Sequence, residues 1–210
     1  MKIYLVRHGE TLWNKEEVFR GRKDIPLNET GRIQAQKVGA YFAGNPLRRI
    51  VSSPLRRAVQ TAQAIGETTG IPVETTEELT DINFGVWEGL SLRDVEEQYP
   101  IEFDLWKRSP EKLQVSGGET LAMVRGRASG TLARLASFGE GPIVLVTHRV
   151  ICKMIVLSCL NMGDEHFWDL LYDPASVTLL ERQHGSFTLI FSNDTCHLKE
   201  LLSGTGYRDF

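Results

Sequence analysis

The chain contains short, uninterrupted apolar runs, separated by segments in which apolar residues recur every three or four positions. The clearest run is Pro-Ile-Val-Leu-Val at residues 142–146, and a similar run occupies residues 3–6. Such runs are typical of strands covered on both faces, and the helical segments between them supply the crossovers that parallel pairing requires. The sequence therefore predicts an α/β fold, a three-layer sandwich with a mainly parallel central sheet and helices on both faces.

Four further strands are predicted from their β-branched and apolar content. Residues 49–53 form a strand that ends before a proline, and residues 72–75 form a short strand at an edge of the sheet. Residues 177–181 and 187–191 are joined by a turn at 184–186, and we expect this pair to be antiparallel because the connection is short.

Three helices are predicted from their apolar faces, and in the second of them the apolar residues recur at spacings of three, four and three. The first begins near Asn28, and the third begins near Ser116, where Ser116 and Glu119 fit a capping box. Residues 12–27 form a polar loop, and the charged residues 91–114 form an excursion, helical in patches, over one end of the sheet. The apolar faces are Ile33, Val38 and Phe42 in the first helix; Leu55, Ala58, Ala62 and Ile65 in the second; and Leu121, Val124, Ala128, Leu132 and Leu135 in the third.

Length and charge restrict the classes of function. The 210 residues are interpreted as one domain, 1–210, whose tail from about residue 193 is expected to be peripheral. The formal net charge is -3, and the arginine pairs at 48–49 and 56–57 do not by themselves form a basic patch. We therefore expect neither nucleic acid nor a membrane surface as a partner.

Cysteine and hydropathy patterns indicate a cytoplasmic protein. Cys152, Cys159 and Cys196 have no C-x-x-C spacing, which suits reduced thiols in the core. Arg7 ends the first apolar run, which is too short for a signal-peptide core, and Lys153 interrupts the later apolar segment. No membrane-spanning segment is expected, and a homodimer is left open.

Two of the five histidines follow predicted parallel strands directly. His8 comes after Arg7 at the end of the first strand, and His148 follows the run at 142–146. The carboxyl ends of parallel strands meet at one crevice, and Arg57 reaches the same edge at the start of a helix. The guanidinium groups of Arg7 and Arg57 can each donate two hydrogen bonds to phosphoryl oxygens, and His8 offers a nitrogen nucleophile. These residues predict a phosphate-handling site.

The same residues belong to a longer series of motifs. In chain order the motifs are Arg7-His8-Gly9-Glu10-Thr11, Trp13-Asn14, Phe19-Arg20-Gly21, Ser52-Ser53-x-Leu55-x-Arg57-Ala58-x-x-Thr61-Ala62, Phe84-Gly85-x-Trp87-Glu88-Gly89 and Val146-Thr147-His148. From residue 3 to about residue 180 the chain resembles the histidine phosphatase superfamily, which includes phosphoglycerate mutases, broad-specificity phosphatases and alpha-ribazole phosphatases. The resemblance implies a phosphoglycerate mutase-like fold and a metal-independent, cofactor-free phosphatase whose partner is a small phosphorylated substrate.

The resemblance also implies a role for each residue of the crevice. His8 would attack phosphorus and form a phosphohistidine. Arg7, Arg57 and His148 would hold the phosphoryl oxygens. Asp81 would protonate the leaving oxygen and later activate the water that hydrolyses the phosphoenzyme. Phosphoryl transfer has a loose transition state, so positioning and charge stabilisation of this kind are what it requires.

Substrate binding is expected of Asn14, Arg20, Gly21 and Arg149. The chain departs from the family pattern at three positions. Asp81 stands where many members have glutamate, and Arg149 begins a segment where many have two glycines, although its amide can still donate to phosphate. Arg20 replaces the more usual glutamine, which suits a second anionic group on the substrate.

Three alternative functions are left open by the residues. A mutase would have to shield its phosphohistidine from water, and a regulatory module would bind phosphate without turnover. A metal-dependent hydrolase would need a ligand set, yet residues 164–166 are interpreted as a polar loop. Glu10, Glu78 and Glu88 are rival acids to Asp81. The substrate is open among sugar phosphates, phosphoglycerates, nucleotides and alpha-ribazole phosphate.

Overall fold

A computed structural model describes residues 1–137, 141–199 and 201 of the chain. Its strands are β1 (Lys2–Arg7), β2 (Arg49–Ser52), β3 (Val73–Thr75), β4 (Ile143–Thr147), β5 (Val177–Gln183) and β6 (Ser186–Asp194). Its α-helices are α1 (Leu12–Lys15), α2 (Glu29–Tyr41), α3 (Arg56–Thr69), α4 (Leu92–Gln98), α5 (Pro100–Arg108), α6 (Leu121–Ser137) and α7 (Arg149–Cys159). Short 3-10 helices lie at Glu77–Leu79, Gly85–Trp87, Pro110–Lys112, Asp164–Asp169 and Cys196–Leu198.

The strands form one sheet in the order β3-β2-β4-β1-β5-β6. The first four strands in this order pair in parallel, whereas β5 is antiparallel to both β1 and β6. The parallel centre, the β3 edge and the antiparallel last pair are therefore confirmed.

Strand β4 shows why the molecule has three layers. Ile143 and Leu145 pack into the apolar cluster that contains α6 and α7, while Val144 and Val146 pack into the cluster that contains α2 and α3. Alternate residues of a strand point to opposite faces, so a continuously apolar strand must be covered twice. The helices thus cover both faces of the sheet, as the sequence predicts.

Helix α2 packs through Val38 and Phe42 of the face predicted for it, and also through small residues. Ile33 is 39% exposed, whereas Ala35 and Gly39 are buried. A Cβ at Gly39 would lie 2.5 Å from the Ala64 carbonyl oxygen of α3, so only glycine lets the two helices come this close. The burial predicted for Ile33 is therefore wrong, and the pattern of large apolar residues missed the small ones that close packing of backbones uses. The predicted polar loop at 12–27 also contains the short helix α1.

The capping box predicted at Ser116 and Glu119 is wrong. Gly117 has a φ of 71°, which belongs to a turn, and α6 begins only at Leu121. The Glu119 carboxylate instead accepts a hydrogen bond from the backbone N–H of Asn83 at 3.0 Å. A long-range partner has replaced the local one that the motif requires.

The segment after β6 returns to the body of the molecule. Leu198 is 1% exposed and packs with Val38 and Phe42. Cys196 is exposed, so the core position predicted for it is wrong, and all three cysteines are free thiols. Residues 200 and 202–210 of the predicted peripheral tail, and the side chain of Leu135, lie outside the described residues. None of the described helices is long and apolar enough to cross a membrane.

Candidate active site

The site is built where three parallel strands end together. The register aligns Arg7 of β1 with Thr147 of β4, so the residues that follow them are neighbours. The backbone N–H of His8 donates to the Thr147 carbonyl at 2.9 Å, and that of Ser53 donates to the Val146 carbonyl at 2.9 Å. The sheet itself therefore brings His8, Ser53 and His148 to one edge.

His8 is buried and its hydrogen bond defines its tautomer. Its Nδ1 lies 2.7 Å from the carbonyl oxygen of Gly9, and a carbonyl can only accept, so Nδ1 carries the proton. Burial lowers the pKa of His8 well below its usual 6.5, and the Arg57, Arg7 and Arg20 cations lower it further. The imidazole is therefore neutral with its lone pair on Nε2, which is the form that can act as a nucleophile.

His148 has the opposite tautomer. Arg57 Nε donates to His148 Nδ1 at 3.2 Å, and His148 Nε2 donates to the Ser53 hydroxyl at 2.8 Å. Burial, followed by the charge of Arg57, holds the pKa of His148 well below 6.5. The His8 and His148 ring centroids are 5.1 Å apart, so two neutral imidazoles share the pocket.

Arg57 is a fully buried cation that joins several parts of the site. Its Nη1 and Nη2 donate to the carbonyls of Lys23 and Gly21, both at 2.8 Å, and Nη2 also pairs with Asp81 Oδ2 at 3.2 Å. Burial lowers the pKa of Arg57 to about 10, so the guanidinium stays charged at neutral pH. One side chain thus fixes the loop after α1, the Asp81 carboxylate and His148.

Asp81 lies beside His148, and it is 7% exposed. Its Oδ1 accepts from the backbone N–H of Ile82 at 3.0 Å, and its Oδ2 lies 3.6 Å from His148 Nδ1. Of the rival acids, Glu88 accepts backbone hydrogen bonds from Arg22 and Phe84, and Glu10 binds the Asn28 side chain.

A cavity opens in front of this cluster. Its charged lining residues include Arg7, Arg20, Asp81 and Arg149. His8, Gly21 and Glu17 also line it. Arg57 and His148 are not among its lining residues and form the layer behind them. Asn14 is also set back, since its Oδ1 accepts from the backbone N–H and the hydroxyl of Thr11, both at 2.8 Å.

Arg149 reaches the cavity from the first position of α7. Its guanidinium lies 5.7 Å from the ring centre of Trp168, and the Lys153 ammonium lies 4.4 Å from the same ring. No signal in the sequence indicated that Arg149 and Trp168 would meet. Ser53 was quoted only as part of a motif, although its hydroxyl orients His148.

The motifs, the sheet order and this geometry agree with a comparison against known families. The model of the histidine phosphatase superfamily, branch 1, matches residues 3–195. The chain belongs to this superfamily. In the part of this histidine phosphatase that the structure describes, no three His, Cys, Asp or Glu side chains come together as a metal site would require.

Other histidine phosphatases resemble the chain over nearly its whole length. Phosphoserine phosphatase 1 from Hydrogenobacter thermophilus is 32% identical over 95% of this chain and 95% of its own. The structure of YhfR from Bacillus stearothermophilus has a TM-score of 0.89 at 32% identity, covering 94% of this chain and 98% of that one. A mutant of phosphoserine phosphatase from Entamoeba histolytica, solved in complex with phosphoserine, has a TM-score of 0.85 at 30% identity, covering 94% and 98%. The chain is accordingly a phosphoric monoester hydrolase.

Acid is expected to destabilise this histidine phosphatase because two of its imidazoles are buried and neutral. Below about pH 6.5 the histidines of the unfolded chain bind protons, whereas His8 and His148 in the folded chain do not. The unfolded state then binds more protons, so the free energy of unfolding falls as the pH falls. The loss is up to about 1.4 kcal/mol per pH unit for each imidazole.

Urea unfolding at pH 7.5, 6.5 and 5.5 measures this effect, in a buffer without phosphate so that no ligand stabilises the folded state. The variant His148→Gln should show a shallower pH dependence than the wild-type chain. A free energy of unfolding that stays constant from pH 6.5 to 5.5 contradicts the expectation.

Proposed function

We propose that the chain hydrolyses small phosphomonoesters that carry a second anionic group, through a phosphohistidine at His8. The protonation state of His8 carries this proposal. A buried imidazole that donates from Nδ1 to the Gly9 carbonyl has an Nε2 lone pair available for attack on phosphorus. His8 also lines the cavity, which is where a phosphoryl group has to enter.

The reaction has two steps, and Asp81 takes part in both. His8 Nε2 attacks phosphorus while the ester P–O bond breaks, and Asp81, which takes a proton from the bound phosphomonoester monoanion, passes that proton to the leaving oxygen. A water molecule then attacks the phosphohistidine, the N–P bond breaks, and the Asp81 carboxylate takes the proton of that water. Asp81 gives this proton to the departing phosphate, and His8 returns to its neutral form.

Arg7, Arg57 and His148 bind and neutralise the phosphoryl oxygens in this proposal. The Arg7 side chain lines the cavity, and Arg57 contacts both His148 and Asp81, which supports a shared function for the group. The Nε2–H of His148 now donates to Ser53, and a phosphoryl oxygen would replace the Ser53 hydroxyl as its acceptor. Such preorganised donors supply the charge stabilisation that phosphoryl transfer needs.

The second anionic group of the substrate is assigned to Arg20 and Arg149. Both side chains line the cavity beside His8, and both are less than a tenth exposed. Gly21, which has a φ of 49°, shapes the loop that carries Arg20, and Asn14 supports the turn before it. The names of relatives that act on phosphoserine, whose carboxylate would be such a group, support the assignment.

The substrate assignment predicts a selective defect in Arg20→Gln. We expect its kcat/KM to fall about 10-fold to 100-fold for O-phosphoserine, and by less than about 3-fold for phosphoethanolamine, which lacks the carboxylate. A charged hydrogen bond lost from one substrate alone has this size. The measurement is steady-state kinetics on a phosphomonoester panel with a chelator present.

Lys23→Gln is the matched control for Arg20→Gln, because Lys23 is an exposed cation three residues away. It should leave both kcat/KM values within about 2-fold of wild type. An equal loss on both substrates in Arg20→Gln would refute the carboxylate assignment.

We also propose a single-domain, cytoplasmic protein that acts without nucleic acid. The three free thiols support a reducing compartment. A homodimer is proposed through β6, a nine-residue strand at the end of the sheet on which Ile190 is 49% exposed. Unprotected edge strands of this length favour pairing with another chain.

A further inference from the structure

We propose that Arg127 and Glu119, which we call the brace, are positioning residues that hold Asp81 in the geometry needed for proton transfer. The inference rests on the acid role proposed for Asp81. Neither residue lines the cavity, and neither belongs to the motifs of the site. Both act on the segment 78–83, which carries Asp81 between β3 and the 3-10 turn at Gly85–Trp87.

Arg127 binds the backbone on both sides of the acid. From the middle of α6, its Nη1 donates to the carbonyls of Glu78 at 2.8 Å and Thr80 at 2.6 Å. Its Nη2 donates to the carbonyl of Asp81 itself at 3.1 Å. Three carbonyls within four residues therefore depend on one guanidinium, whose planar fork is suited to several fixed acceptors.

Glu119 completes the brace by fixing Arg127 and the far end of the same segment. Its two carboxylate oxygens accept from Arg127 Nε and Nη2, both at 3.0 Å. Its Oε2 also accepts from the backbone N–H of Asn83, and its own backbone N–H donates to the Asn83 carbonyl at 2.8 Å. The Asp81 carboxyl thus has anchored backbone before it, at it and after it.

The burial and the charges of Arg127 and Glu119 favour a stable ion pair between them. The side chains of Arg127 and Glu119 are 17% and 12% exposed, so most of the pair is removed from water. Burial acts to raise the pKa of Glu119, but the hydrogen bonds from Arg127 and Asn83 outweigh it, and the pKa lies below its usual value. Arg22, two residues after Arg20, also reaches Glu119 at 3.2 Å. The brace therefore connects the Asp81 segment to the loop that carries Arg20.

Position matters because the acid must meet the leaving oxygen while the phosphorus–oxygen bond breaks. The Asp81 side chain has one hydrogen bond to its own segment and one to Arg57. Neither of these bonds holds the backbone of the segment in place relative to the rest of the site. A displacement of about 1 Å can cost about 100-fold in rate. Loss of the brace should slow only reactions that need the proton from Asp81.

Arg127→Gln tests this with phenyl phosphate and 4-nitrophenyl phosphate, which differ mainly in how much their leaving group needs a proton. We expect kcat/KM, which reports the steps up to phosphoenzyme formation, to fall about 10-fold for phenyl phosphate and less than about 3-fold for 4-nitrophenyl phosphate. In an Asp81→Asn background the same substitution should have no further selective effect, since the group it positions is gone.

Two more variants distinguish a loss of Asp81 positioning from a general folding defect. Arg125→Gln is the matched control, because Arg125 lies on the same helix and pairs with Asp164 at 2.6 Å, away from the Asp81 segment. It should show no leaving-group selectivity. Glu119→Gln keeps the size of the side chain, and we expect about a 3-fold selective loss.

The outcomes separate the brace from the proposed function. If Asp81→Asn is selective for phenyl phosphate and Arg127→Gln lowers both substrates equally, the brace is overturned while the acid stands. If Asp81→Asn itself shows no selectivity, the acid role fails and the inference fails with it. Selective losses in Arg127→Gln and Glu119→Gln that vanish without Asp81 support the brace.

Discussion

Replacing His8 with asparagine should lower kcat/KM for every phosphomonoester by at least about 10,000-fold, because His8 is the one imidazole among the described residues that line the cavity. Two features of the structure determine the tautomer and the protonation state of His8. The Gly9 carbonyl fixes the proton on Nδ1, and burial beside Arg57 and Arg7 keeps the pKa far below 6.5. Asparagine retains a hydrogen-bond donor but has no nucleophilic nitrogen.

The control for His8→Asn is His184→Asn, at an exposed turn with a φ of 51° that asparagine tolerates. It should retain wild-type kinetics. The folded fraction of both variants is checked by urea unfolding. Residual activity above about 1% in His8→Asn, after exclusion of contaminating phosphatase, is incompatible with a nucleophilic His8.

Arg57→Gln should have the second largest effect, and it should appear in both activity and stability. Removing the guanidinium leaves the Gly21 and Lys23 carbonyls without this donor, and it leaves Asp81 without its cation. Breaking a buried ion pair costs about 3–5 kcal/mol. We expect kcat/KM to fall by about 1,000-fold or more, because phosphoryl binding and acid position are lost together.

Arg56→Gln is the matched control, since Arg56 is exposed and adjacent in sequence. It should change the free energy of unfolding by less than about 0.5 kcal/mol. Arg57→Lys provides a further comparison. Lysine keeps the positive charge but lacks the planar guanidinium with its several fixed donors. A kcat/KM near wild type in Arg57→Lys would therefore contradict the importance of the planar geometry.

The part of the site that lies on strands could be predicted from sequence. An apolar run predicts a strand, and the end of that strand predicts which residues lie at the edge of the sheet. Parallel pairing then makes neighbours of residues that are 140 positions apart, as His8 and His148 are. Arg57 follows the same logic, because β2 pairs with β4 and α3 starts directly behind it. Asp81 has no such pattern, and its assignment depended on family resemblance.

Contacts between distant side chains could not be predicted. The Ser116 and Glu119 motif satisfied a local capping rule, yet Glu119 binds Asn83 and Arg127 instead. A capping rule describes the hydrogen bonds that a segment can form within itself. A buried carboxylate instead binds the strongest hydrogen-bond donors that the fold brings close to it. The contact between Arg149 and Trp168 is another case, because the two residues are 19 positions apart and Arg149 begins a helix that ends before Trp168.

The tautomers of the two histidines also required the structure. Their sequence positions are alike, each directly after a parallel strand, but His8 donates from Nδ1 to a carbonyl while His148 accepts at Nδ1 from Arg57. Opposite hydrogen-bond partners give opposite tautomers. This difference supports the proposal that His8 is the nucleophile and that His148 binds a phosphoryl oxygen.

The most direct test of the account is to identify the phosphorylated residue during turnover. The enzyme is mixed with 4-nitrophenyl phosphate, quenched in alkali within milliseconds and analysed by intact-protein and peptide mass spectrometry. We predict one phosphoryl group on His8, stable in alkali and lost in acid, and absent from His8→Asn. A phosphoryl group that survives acid, or one that persists in His8→Asn, would contradict a phosphohistidine mechanism.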